Sequence, residues 1–417
     1  MKRILSISAI LFTILTACDK TPLPPADEEH HDFIMFSTPE VKLTSETDTR
    51  SRIEGSVLPS GSTFGVWGYC VAYSPGTTND EDESSRSSEW AIKKKLCPPT
   101  LFTPDDSSLP GGLLGVTVGD DGCTYTNDNS AANTGKGAMP WLTDENSLYT
   151  FVAVYPTTAN GLSFDFTKHN EANVDAPIIK YSVPYSYEDG EVTNHSDTPD
   201  IMVAWRENHR KSDGHVPLTF YHLMSSLSVR VNNYSEYYDA DNNRQGTNLK
   251  IHSIKLQGTF HKTLTVDMAD NGNYSFSGSY GTTYVLFDAG DDGYDVPYTD
   301  VSETPEDETS VVLGDPPMLL CGKPGVDDPY GPDSKNQETG IKLAIDYTFG
   351  DNNRKSVAMN LLNPDLSFSP QVGVNYTFQL NWIGDGLVLL VMPSSNAQWG
   401  DGEADDGETG NDDIIFE

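Results

Sequence analysis

Tyr376-Thr-Phe378-Gln-Leu380-Asn-Trp382, in the last tenth of a 417-residue chain, puts an aromatic or aliphatic side chain at every second position. A period of two is the signature of an extended strand with one face toward a core. The same alternation recurs in Ile341-Lys-Leu343-Ala-Ile345-Asp-Tyr347 and in Leu227-Ser-Val229-Arg-Val231. These three segments are expected to be half-buried antiparallel strands. Upstream, 64–71, 148–155, 178–183 and 201–205 are strand-like through their β-branched and aromatic content, and Gly, Pro, Asn and Asp clusters divide them. No segment keeps the i, i+3, i+4, i+7 apolar spacing for three turns without a Gly or Pro, so helices should be few and short. The class is therefore all-β, and many short strands with frequent turn signals imply β-sandwiches.

The N-terminus has a different character. Met1-Lys2-Arg3 is followed by an apolar run that ends in Leu15-Thr16-Ala17-Cys18, the layout of a secretory signal. The run from Ile4 to Ala17 would reach only about 21 Å as a helix, short of the ~30 Å hydrocarbon core. A leader over 1–17, cleaved before Cys18, is the expectation. Leu-Thr-Ala-Cys resembles the lipobox of bacterial lipoproteins, which implies a lipid on Cys18 and an anchor in the outer membrane, and two or more acyl chains give a stable hold. The polar, Pro-rich stretch 19–32 then reads as a tether.

Composition excludes several functions. The chain has 26 Lys and Arg against 62 Asp and Glu, a formal net charge of −36. Such a surface repels phosphate backbones, so nucleic acid is not an expected partner. Besides Cys18 there are Cys70, Cys97, Cys123 and Cys321, without a C-x-x-C pair or histidines at zinc-like spacing, so no metal or cofactor is expected. Export permits disulfides among these four, and sequence leaves the pairing open, with Cys97 and Cys123 candidates and Cys70 a competitor. Catalytic templates are missing: there is no His-Glu-x-x-His, Gly-x-Ser-x-Gly or phosphate-loop pattern, and Thr134-Gly135-Lys136-Gly137 reads as a turn. Asp239 to Asn243 starts like a calcium loop, but Arg244 stands where that loop needs glycine. His222, within Leu218-Thr-Phe220-Tyr-His222, is expected to be a satisfied β-sheet or interface residue rather than a catalytic base. An enzyme is not expected.

An ordered set of features then carries a resemblance. After Cys18 come Phe33-Ile34-Met35-Phe36-Ser37, then Thr49-Arg50 with Arg52, Leu58-Pro-Ser-Gly61 leading into Phe64-Gly-Val-Trp-Gly-Tyr69, and Phe151-Val-Ala-Val-Tyr-Pro156. Pro199-Asp-Ile-Met-Val-Ala204, the run Val216 to Val231, Asn375-Tyr-Thr-Phe378 and Trp399 complete it. In order and spacing the chain resembles the fimbrillin-like family of outer-membrane lipoproteins, subunits and accessory proteins of type V pili. The resemblance implies two transthyretin-like antiparallel β-sandwich domains in tandem, and maturation by an arginine-specific protease. It further implies loss of the first strand and filling of the vacated groove by a strand from a neighbour. On these terms the chain divides into a signal peptide (1–17), a tether and removable first strand (18–52), an N-terminal sandwich (53–213), a C-terminal sandwich (214–399) and an acidic tail (400–417).

The removable strand would hold Phe33, Ile34, Met35 and Phe36, together with 41–43, and the cut would follow Arg50 or Arg52. Two donor strands are candidates: 387–391, and the terminal Ile414, Ile415 and Phe416 behind the Gly/Asp-rich stretch 400–413. Expected partners are other pilus subunits in a homo- or hetero-polymer, the outer membrane through the lipid, and a host or bacterial surface ligand. Aromatics in or near loops, Trp90, Trp141, Tyr185, Tyr187, Tyr237 and Tyr238, would suit a tip adhesin. The alternative function is a surface glycan-binding lipoprotein that never polymerises.

Overall fold

The computed structural model describes residues 32–41, 57–71, 102, 113–120, 122–128, 136–141, 147–165, 177–184, 191–193, 198–238, 240–241, 244–268, 273–299, 311–314, 318–320, 341–350, 353–361, 370, 372–384, 386–394 and 414–415. Three larger sheets organise them. Sheet A runs in the order Glu40–Val41, Thr219–His222, Met202–His209, Leu148–Tyr155, Thr63–Val71, Leu114–Gly119, Gly122–Thr124. Sheet B is built on a long hairpin, Leu249–Asp267 with Asn273–Asp288, extended by Lys342–Phe349 and Lys355–Asn360. Ile178–Ser182 pairs with the far half of Leu249–Asp267, and Leu162–Asp165 pairs with Ile178–Ser182. Sheet C runs Val311–Leu313, Ser225–Asn233, Asn375–Ile383, Gly386–Ser394, Ile414–Ile415.

The central strands of sheet A are buried on both faces, and their sequences explain why. In Leu148–Tyr155, Tyr149, Phe151 and Ala153 enter one apolar cluster while Val152 and Val154 enter another. Thr63–Val71 splits in the same way, Phe64 and Val66 to the first and Trp67 and Tyr69 to the second. The second cluster is shared with sheets B and C; the first is closed by Ile34, Phe36, Val41, Val216 and Leu218. Strands covered on both sides read as near-continuous apolar runs, which is how 64–71 and 148–155 read.

The boundary expected between 213 and 214 follows the end of Met202–His209 and a short 3₁₀ turn, Lys211–Asp213. The next strand, Thr219–His222, pairs back into sheet A. Ile178–Ser182, from the other side of the divide, pairs into sheet B. At the crossing from A to B, Gly161 has φ +85°, and a Cβ there would lie 2.0 Å from the Ser182 carbonyl oxygen, so only glycine fits.

Two expectations need correction. Ser225–Asn233 and Asn375–Ile383 pair in parallel, not antiparallel, in register from Ser226–Asn375 to Asn233–Trp382. Alternation fixes which face is apolar but says nothing of a neighbour's direction, and two strands so far apart in sequence need no hairpin. Ser225–Asn233 is also buried throughout rather than on one face. Part of its polar row pairs across the strands: Asn232 donates to Asn381 at 2.8 Å, and the Ser228 and Thr377 hydroxyls lie 3.1 Å apart, while the Ser226 hydroxyl and the Asn232 side-chain oxygen are buried without a partner among the described residues.

Candidate functional site: the slot that holds residues 32–41

Residues 32–41 form little regular strand, yet they are bonded on both sides. Toward sheet A, the Val216 N–H donates to the Met35 carbonyl at 2.7 Å, the Ser37 N–H to Val216 at 3.1 Å, and the Glu40 N–H to Leu218 at 3.0 Å. The segment continues into parallel pairing of Glu40 with Thr219 and Val41 with Phe220. On the opposite side, the Ile34 N–H donates to Met139 at 2.8 Å, the Trp141 N–H to Asp32 at 3.0 Å, and the Leu58 N–H to Pro39 at 3.2 Å. Antiparallel bridges join Phe33 to Pro140 and Glu40 to Val57. The segment therefore fills a slot, with a neighbouring backbone along each edge.

Its side chains complete the core. Ile34, Phe36 and Val41 are 0%, 1% and 2% exposed, whereas Phe33 is 47% exposed. Phe36 meets Phe151 at 5.7 Å, Tyr125 at 5.8 Å, and Phe64 and Phe102 at 6.3 Å between ring centroids. Each such buried apolar side chain contributes about 2 kcal/mol in area removed from water, and edge-to-face rings add a further fraction. The Asp32–Lys211 ion pair, at 3.6 Å with Asp32 77% exposed, adds little.

Two titratable groups seal the seam. The Tyr125 hydroxyl donates to the Ile34 carbonyl and accepts from the Met139 N–H, tying the segment to its neighbour. Burial pushes this phenol up to about 12, against the opposing effect of the Met139 hydrogen bond. The Cys123 thiol donates to the Ser37 carbonyl at 3.4 Å, and burial pushes it up to about 11. A thiol held in that form is chemically quiet at neutral pH. Beside it opens a cleft of about 380 Å³, walled by Met35, Phe36, Ser37 and Thr38 of the segment and by Asp120, Gly122, Cys123 and His215 of the body.

Strand register also bears on the cysteines. Thr63 faces Thr117 and Val118 faces Cys123, while Cys70 faces Tyr149 at the other end of its strand. About eight residues of strand, or ~26 Å, separate Cys70 from Cys123, and a disulfide needs Cα atoms within ~7 Å. Those two cannot bond in this fold. Cys97 and Cys321 lie outside the described residues.

The remaining sequence candidates are placed as follows. Cys18, Arg50, Arg52 and Phe416 lie outside the described residues, as do Leu43, Trp90, Tyr185, Tyr187 and the tail 400–413. The Ile414–Ile415 backbone pairs antiparallel with Leu389 and Val388 at the rim of sheet C. Residues 387–391 belong to Gly386–Ser394, which pairs along its whole length with Asn375–Ile383. Trp141, taken as a loop aromatic, is a core residue: it is 5% exposed, packs edge-on to Tyr149 at 4.8 Å and stacks on His209 at 5.8 Å. Tyr237 is 53% exposed, as a surface aromatic would be.

His222 is buried, its Nδ1 lying 3.0 Å from one Asp200 carboxylate oxygen and 2.9 Å from the other. Burial works to lower its pKa, but the charge of Asp200 and the hydrogen bond to it prevail and hold the imidazole above its ordinary value. Among the described residues no group of three or more His, Cys, Asp or Glu side chains could hold a metal ion. Nor is any described helix long and apolar enough to cross a membrane. Sequence reasoning did not assign the walls of the slot: Leu58 and Val216 stood only among the motifs of the resemblance, and Val57 and Met139 were not singled out. Their signal was present in the apolar residues of Val57-Leu58, Met139-Pro-Trp141 and Val216-Pro-Leu218, set in polar or Gly-rich surroundings.

The fimbrillin-like family model matches residues 115–312. No curated protein matches the chain. Among solved structures, a candidate cell adhesion protein from Bacteroides uniformis is 14% identical over 86% of this chain and 96% of its own, with a TM-score of 0.41. One from Bacteroides ovatus is 11% identical over 89% and 99%, with a TM-score of 0.40. A fimbrial assembly protein from Parabacteroides distasonis is 8% identical over 86% and 96%, with a TM-score of 0.30.

Proposed function

We propose, for a chain whose residues 115–312 match the fimbrillin-like family, that it is a structural or tip subunit of an adhesive type V pilus. It is exported as a lipoprotein on Cys18, reaches the cell surface on the outer membrane, and is cut after Arg50 or Arg52. Copies, or this chain and other subunits, then link by strand exchange. Its halves, 53–213 and 214–399, are two transthyretin-like sandwiches that lend strands to each other.

The observation that supports this reading is the two-sided seating of residues 32–41. A segment bonded along both edges, with its apolar side chains in the core, leaves two rows of unpaired backbone groups and an apolar cleft when it departs. Unpaired strand edges and an open cleft are what an incoming strand satisfies by β-augmentation. Among the described residues, the candidate donor Ile414–Ile415 is held to its own sheet by two residue pairs.

Surface material sequenced from its N-terminus should begin at Ser51 or Ile53, and an Arg50→Ala/Arg52→Ala double variant should lose the ladder of multimers seen on unboiled gels. Chains that start only at Cys18 and run as single species would instead favour a tethered glycan-binding lipoprotein.

A further inference from the structure

Cutting the chain between residues 42 and 56 breaks one covalent link, and the contacts of residues 32–41 with the other described residues lie outside that interval. The backbone bonds to Val216, Leu218, Met139, Trp141 and Leu58 survive such a cut, and so does the burial of Ile34, Phe36 and Val41. A segment held this way has no reason to leave because it has been cut. An incoming strand must find a foothold while the slot is still filled.

Among the described residues, a cleft opens where the resident segment and the body part from each other. The cleft of about 380 Å³ runs along the seam beside Phe36, Ser37 and Thr38, midway along the segment, and its other wall is Asp120, Cys123 and His215. Across it the Cys123 thiol donates to the Ser37 carbonyl at 3.4 Å, an ordinary distance for sulfur, and a thiol is a weaker donor than the backbone N–H groups that hold the segment to either side. We propose that residues 32–41 remain seated as a plug after cleavage, and that a strand of a second copy displaces them by engaging first at this cleft. The proposal rests on the strand-exchange reading above and adds to it the order of events. Strand entry precedes strand loss, so an empty slot is never exposed.

The test uses the full chain with a site-specific protease sequence placed between 42 and 56, so that it does not depend on either arginine. After cutting, size-exclusion chromatography with mass spectrometry should find the N-terminal fragment with the body. The probe is a fluorescent synthetic peptide of residues 32–41. Its uptake rate should rise in proportion to peptide concentration, the mark of displacement. Filling the cleft with Asp120→Trp should lower that slope by about tenfold, within the range over which association rates vary among variants of one interface. His215→Trp, from an exposed position on the same wall, guards against a folding defect in the first variant. Separation of the fragment on cutting alone overturns the proposal, as does an uptake rate independent of peptide concentration, or unchanged slopes in both variants. Absence of multimers from the same cut protein counts against the pilus reading, while uptake kinetics still decide between displacement and prior release.

Discussion

Phe36 and Phe33 are three residues apart and of one chemistry, yet they have opposite consequences. Phe36 touches four aromatic rings and is 1% exposed; Phe33 is 47% exposed. Phe36→Ala in the uncut chain should cost about 3–5 kcal/mol, as a buried aromatic truncation does. Phe33→Ala should change stability by less than about 0.5 kcal/mol. Urea unfolding followed by tryptophan fluorescence separates them, and equal losses would mean that the slot does not bury Phe36.

Two histidines act oppositely with pH. His222 is raised in the folded state, so its ion pair with Asp200 adds stability that is full below about 6.5, the ordinary imidazole value, and is lost as pH rises through the raised value. His209 is lowered, chiefly by burial, against the opposing effects of its hydrogen bond to the Gly214 carbonyl and the charge of Asp213. Its contribution is full above about 6.5 and is lost as pH falls from there toward the lowered value. Urea midpoints measured from pH 5 to 8 should therefore lose their alkaline decline in His222→Gln and part of their acid decline in His209→Gln. Persistence of the alkaline decline in His222→Gln would place its cause elsewhere.

At the scale of elements, a strand's worth is the number of neighbours it pairs with. Residues 32–41 are bonded on both sides, so Glu40→Pro, which removes the N–H donated to Leu218, should weaken the segment's hold without touching its core side chains. Limited proteolysis of the intact chain should then release the N-terminal fragment sooner than in the parent. Among the described residues, Ile414–Ile415 makes two residue pairs at the rim of sheet C. Deleting 412–417 should leave the urea midpoint of the single subunit near its parent value, while multimers on unboiled gels decline if this tail is the donor. Within sheet C, Asn232 is 0% exposed and donates to Asn381 at 2.8 Å, so Asn232→Leu leaves a buried acceptor without that donor. The Gln379 side-chain amide still donates to the same Asn381 oxygen at 3.2 Å, so the expected cost is about 0.5–1.5 kcal/mol.

For the whole molecule, charge governs encounter. The full chain has a net charge of −36, and loss of residues 1–17 removes Lys2 and Arg3 and no acidic residue, so the strongly negative copies oppose approach. Raising ionic strength shortens the Debye length from about 30 Å at 0.01 M to about 8 Å at 0.15 M. Assembly of cut chains should therefore speed up with salt, as followed by light scattering. A rate that falls with salt would point to attraction between oppositely charged patches at the contact.

The alternation in 227–231, 341–347 and 376–382, and the continuous apolar runs 64–71 and 148–155, were enough to give an all-β protein and the positions of these strands. Local periodicity records which side chains must leave water, and that is a property of neighbours along the chain. Other features were hidden for the opposite reason. The parallel pairing of Ser225–Asn233 with Asn375–Ile383, the return of Thr219–His222 to sheet A, and the pairing of Leu249–Asp267 with Ile178–Ser182 and Lys342–Phe349 depend on partners distant in sequence. The same holds for the site. Phe33-Ile34-Met35-Phe36 could be seen as a strand-like piece, but a slot is made by what stands on either side of it. Val216, Leu218, Met139 and Leu58 come together there only because backbone hydrogen bonds and burial can be satisfied at once in three dimensions, and no local pattern encodes that meeting.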